Sequence, residues 1–163
     1  MNILKKALPV DSFEIRTTQS PEALMRILDR QIEPQKLFRF GSRNHKPFQG
    51  DLSIDGFTMT RIIHYRNSFL PVIRGTFAPG PQGTNIAIKM TLHPIVIAFM
   101  AMWLGVVGSI AMVLCLSAIF SNDVAWPLPL APLGMFVFGW ALTSGGFWFE
   151  AHHTKKKLLR LFR

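Results

Sequence analysis

The chain has 163 residues, a formal net charge of +9, and 49% hydrophobic against 17% charged residues, with the apolar residues unevenly spread. No charge stands between Pro94 and Asn122, and after Asp123 the run from Val124 to Phe149 is again charge-free. Two such runs read as membrane spans and exclude an ordinary soluble domain, while nothing in the chain identifies a reaction or a ligand.

Residues 1 to 93 hold 13 Lys/Arg against seven Asp/Glu, and the last 14 residues hold five against Glu150 alone. Lys and Arg beside membrane spans stay cytoplasmic, so both termini are expected in the cytoplasm, with Ser121 to Ala125 outside. Contact with anionic lipid accounts for the basic balance, and nucleic acid is not needed to explain it. The opening MNILKKALPVDSFEI has a basic pair but too short an apolar run for a signal peptide, so the N-terminal part is not expected to be exported. The single cysteine, Cys115, lies mid-span and reads as an apolar packing residue.

In chain order, Phe13 to Thr17 alternates as a short strand. Ser20-Pro21-Glu22 then supplies a helix N-cap, a proline at the first helical position and an early acid. Leu24, Ile27, Leu28 and Ile32 recur at helical spacing, and Pro34 is expected to end that helix. Gln35 to Pro47 is basic and without period.

From Phe48 to Leu92 the pattern is β. Asp55-Gly56 between apolar runs predicts a hairpin with these two residues at the centre of its turn. Asn67-Ser68 predicts a second turn, and Pro71 predicts a strand start or a sheet edge there. Pro79 to Gly83 is a third turn. Ile86, Ile88, Met90 and Leu92 alternate with polar positions, giving an antiparallel sheet with one apolar face that the Ser20 helix covers.

Pro94 to Phe120 is 27 residues, about 40 Å as a helix and enough for a roughly 30 Å hydrocarbon layer. Pro127, Pro129 and Pro132 disturb the start of the second span, so a regular helix is expected from about Pro132. Trp126 and Trp148 sit where an aromatic belt would place them. Ala101, Gly105 and Ser109 recur every four residues, as do Ala141 and Gly145, which predicts a close seam between the two helices. In the tail, Leu158, Leu161 and Phe162 share one face against Lys155 to Lys157, Arg160 and Arg163, as in a helix at a lipid surface.

The fold class expected is therefore α+β. A small antiparallel sheet with one covering helix occupies residues 1–92, a transmembrane helical hairpin residues 93–149, and a short basic amphipathic C-terminal helix residues 150–163.

Candidate sites are few. His93, His152, His153 and Glu150 come to one end of an antiparallel hairpin. Glu150-x-x-His153 is half of a di-iron carboxylate motif, but the second copy is missing, so no metal and no cofactor is expected. Arg61, His64, Tyr65, Arg66, Asn67 and Arg74 crowd two strands and their turn. Of these, Arg61, Arg66 and Arg74 are candidate ligands for an anionic headgroup. The other reading of the same residues is a solvated sheet face. No phosphate loop, nucleophile elbow or metalloprotease motif is present, and no catalytic residue is proposed.

The stretch TRIIHYRNSFLPVIRG followed by GTNIAIKMTLHP resembles an uncharacterised family of small bacterial membrane proteins, in which a strand block runs into a charge-free hairpin and a short basic tail. The resemblance covers about the last two thirds of the chain. It implies a bacterial inner or internal membrane and no site residues. Two functions stay open: an accessory or assembly subunit of a membrane complex, with membrane lipids and a membrane protein or a second copy as partners, or a membrane-anchored module for lipid or another anionic ligand.

Overall fold

A computed structural model describes residues 8–34, 46–63, 65, 67–120 and 125–162, and is α+β. Strands β1 (Val10–Thr17), β2 (Ile32–Glu33), β3 (Phe48–Ser53), β4 (Gly56–Arg61), β5 (Val72–Gly80) and β6 (Gly83–Thr91) form one sheet in the order β1-β6-β5-β4-β3-β2. All neighbours are antiparallel except the two-residue pair of β2 with β3, which makes the sheet mixed rather than wholly antiparallel.

Helix α1 (Pro21–Gln31) begins as its residues dictate, with the Ser20 hydroxyl accepting from the Ala23 amide at 3.3 Å. The Ser20 hydroxyl and its own backbone N–H hold the Glu22 carboxyl below the usual carboxylate range. The helix stops before Pro34, because Ile32 turns extended to pair with β3. The Lys46 ammonium donates to the carbonyls of Asp29 and Ile32, tying the end of the helix to the start of the sheet.

The first hairpin differs from expectation by one residue. Its loop is Ile54-Asp55, and Gly56 already pairs with Ser53 as the first residue of β4. The cause is crowding: Gly56 has φ +157° and a Cβ there would stand 2.1 Å from the Gly75 carbonyl oxygen, so the glycine serves the sheet rather than the turn. Pro71 does precede a strand, but β5 lies between β4 and β6, so no sheet edge lies at Pro71. The edges are β1 and β2.

The alternation in β6 holds, with Ile86, Ile88 and Met90 buried on one face and Leu92 just beyond the strand. Ile73 pairs with Met59 on one side and Met90 on the other, at the centre of that face. Leu24 and Leu28 of α1 cover part of it.

Two helices are long and apolar enough to cross a membrane: α2 (Pro94–Phe120) and α3 (Leu130–Leu161). Helix α3 starts two residues before Pro132, since proline is tolerated in a first helical turn. It then runs for 32 residues without a break. Its first 20, Leu130 to Phe149, are about 30 Å long, and the rest enters the sheet domain. The basic C-terminal helix is thus the last turns of α3. Leu158, Leu161 and Phe162 share a face as expected, and that face meets the sheet. Phe147, Ala151, Leu158 and Phe162 are buried in one core with Phe57, Ile73 and Ile88. Gly75 leaves room for the Phe57 ring, which in turn lies 6.2 Å from the ring of Phe162.

The hairpin seam is not the expected one. Ala101, Gly105 and Ser109 are exposed on α2, as are Ala141 and Gly145 on α3, and a Cβ at Gly105 or Gly145 would meet nothing within 4 Å. Val107 and Ala111 are buried on α2, and Gly139 and Thr143 on α3. Small-residue spacing marks a face on which backbones can approach, but in this hairpin the larger Trp103, Leu104 and Phe136 fill the space between the helices. A Cβ at Gly139 would already stand 3.4 Å from Trp103 Nε1. Gly139→Leu should therefore overpack the hairpin at a cost of about 1–3 kcal/mol. Gly105→Leu should be near neutral, and thermal unfolding followed by tryptophan fluorescence separates the two.

Candidate functional site

The apolar face of the sheet is interrupted at the end from which α2 departs. There, Phe57, Met59 and Arg61 point successively toward α3, and Arg61 meets Glu150, the one acidic residue of that helix. Arg61 Nη1 lies 3.0 Å from Glu150 Oε2, with the two side chains 14% and 0% exposed. This contact is an ion pair rather than an aligned hydrogen bond. The second carboxylate oxygen accepts from the Tyr65 hydroxyl, so both oxygens of a fully buried carboxylate have a partner.

Helical geometry explains the placement. Phe147, Glu150, Ala151, Thr154 and Leu158 recur at spacings of three and four, forming the stripe of α3 that packs on the sheet. An acid within that stripe must be buried, and a buried carboxylate costs several kcal/mol unless it is paired. The pairing therefore favours the height and rotation of α3 that the apolar residues of the same stripe also favour.

A second clamp lies one turn further on. Lys155 Nζ is 3.3 Å from Asp11 Oδ2 and 4.3 Å from the centre of the Phe13 ring, which ties α3 to β1. This pair is more exposed and is worth about 0–1 kcal/mol.

Tyr65 is the only tyrosine in the chain and is half exposed. Its hydrogen bond to the Glu150 carboxylate, with smaller contributions from burial and the carboxylate charge, raises its pKa above that of a free phenol. For a raised group the stabilising contribution is complete below the unfolded pKa of about 10 and is lost as pH rises through the higher folded value. Alkaline absorbance titration reads this one group. The wild type should ionise at higher pH than Glu150→Ala, and coincident curves would show that the hydrogen bond does not form.

The structure does not bring the three candidate arginines together. Arg61 points into the core and is paired with Glu150. Arg74 is exposed on the opposite face of the sheet, directly across from Lys89 on one side and Thr58 on the other. Arg66 and His64 lie outside the described residues. His152 and His153 are exposed, each with Nδ1 on the carbonyl four residues back, at 2.7 Å and 2.9 Å. Among the described residues no group of three or more His, Cys, Asp or Glu side chains is placed to hold a metal ion.

Glu150 was not singled out by sequence reasoning as a partner of Arg61. The available signal was its place as the first charge after a long neutral run, on the same helical face as Phe147 and Leu158. No known protein family matches this chain, and neither does any characterised protein or solved structure.

Proposed function

We propose that this chain is a non-catalytic integral membrane protein with two spans, acting as an accessory or assembly subunit of a larger membrane complex. Its sheet domain and both termini lie on the cytoplasmic side of a bacterial inner or internal membrane. The observation that carries this reading is the continuity of α3 from the apolar hairpin into the core of the sheet, with Glu150 clamped to Arg61 at the boundary. A domain held in this way keeps one orientation on its hairpin, which suits a part that positions other subunits.

The outward rows Ala101-Gly105-Ser109 and Ala141-Gly145 agree with the same reading. Unused within the hairpin, they leave two backbones open to close approach by another membrane helix, from a partner or a second copy. The asymmetry of 13 and five basic residues flanking a connection without Lys or Arg supports the orientation. The alternative module for an anionic ligand is less well supported, because Arg61 is already engaged and Arg74 faces the other way.

Purification in mild detergent from cells at native expression should show the protein co-migrating with a larger assembly, and a monodisperse monomer would refute the assignment. A cysteine placed at Ala125, in a chain with Cys115 replaced, should react with an impermeant thiol reagent from outside the cell. One placed at Gln49 should not.

A further inference from the structure

A cleft runs along one side of the hairpin, roofed at one end by the connection between β4 and β5. Two adjoining hollows of about 610 Å³ and 400 Å³ share Phe69, Phe99, Met100 and Leu142. Phe69 reaches across to α3, where Gly146 makes room for it: a Cβ at that position would stand 3.0 Å from the Phe69 ring. The polar residues of the cleft are at one end, where Asn67 and Ser68 stand beside Ile95 and Val96 of the first turn of α2. The other end is walled by Trp103, Met135 and Phe138.

We infer that this cleft holds one acyl chain of a bilayer phospholipid, with the headgroup at the Asn67–Ser68 end. The inference rests on the membrane placement proposed above. In that placement the walls from Phe99 to Met135 lie within charge-free segments, so the surrounding medium is hydrocarbon. The hollows fall in the size range of small-ligand sites, about 300–1,000 Å³. An acyl chain suits walls of this kind, because Phe69, Phe99, Met100 and Leu142 offer it apolar contact and it carries no polar group along its length that would need a partner. Polarity runs in the sense of an amphiphile. The polar end also adjoins the N-terminus of the 27-residue α2, whose positive dipole end complements a phosphate group. Arg61 and Arg74 do not line this cleft.

The test uses the full chain reconstituted in vesicles of phosphatidylethanolamine and phosphatidylglycerol, doped with phosphatidylglycerol carrying a diazirine in its acyl chain. After irradiation, adducts should concentrate on Phe69, Phe99 and Leu142. Leu142→Trp, which fills the cleft, should lose them, while Val137→Trp, on an exposed position outside the cleft, should label like the wild type. Labelling of the wild type spread evenly over exposed positions such as Ile110 and Val137 would mean contact with bulk lipid only and would overturn the site, whatever the variants do. A chain that stays out of the vesicles would overturn the membrane placement and this proposal together, whereas even labelling of an inserted chain leaves the placement standing.

Discussion

Arg61→Met is expected to destabilise the protein by about 3–5 kcal/mol, because it leaves the Glu150 carboxylate buried beside an apolar side chain with only Tyr65 as a partner. The figure reflects the penalty of an uncompensated charge rather than the net value of the pair. The double variant Arg61→Met, Glu150→Leu should consequently recover most of the loss, since two apolar side chains can fill a similar volume with no charge to solvate. The measurement is thermal or denaturant unfolding of the detergent-solubilised chain. If the single variant unfolds like the wild type, water reaches Glu150 and the clamp between sheet and hairpin is not what holds them in register.

The second large effect is expected at the C-terminus. Leu158 and Phe162 are 0% and 1% exposed, and both belong to the core under the sheet. Leu158→Ala should cost about 2–5 kcal/mol and Phe162→Ala about 3–5 kcal/mol, the latter also removing a ring that stands beside Phe57. Leu159→Ala, at an exposed position between them, should change stability by no more than about 0.5 kcal/mol. If these residues lay on a lipid surface, all three changes would be mild in folding assays and would appear in membrane affinity instead. Limited proteolysis distinguishes the cases, because loss of the core contact exposes the sheet domain to cleavage while leaving the hairpin protected.

Features written in local pattern were legible in the sequence. Ser20 and Pro21 mark a helix start by their own backbone chemistry, β6 shows its two faces by strict alternation, and α2 begins where its charge-free run begins. What escaped depends on partners distant along the chain. Tyr65 and Glu150 are 85 residues apart, and nothing in the sequence near either one specifies the other. The hairpin seam escaped for a related reason: four-residue spacing shows that a face is smooth, but which face a helix turns inward depends on how Trp103 and Phe136 fit against the opposite helix. The turn at Asp55 was displaced by one residue because Gly56 answers to Gly75 in the neighbouring strand. The amphipathic tail was legible as a pattern, but an apolar stripe opposite lysines is the same whether it meets lipid or a sheet.

The two joints between sheet and hairpin carry a mechanical consequence. Only Leu92 and His93 separate β6 from α2, and Leu92 is buried, while α3 passes into the same domain with no joint at all. The sheet therefore acts as a rigid yoke that sets the spacing of the two helices at this end. The compliance of the hairpin is left to the far end, where proline-broken turns from Trp126 to Pro129 precede α3. Any spreading of the helices, whether from thicker lipid or from a neighbour wedging against α2, has to open like tongs from the Ala125 end, with the yoke as its pivot.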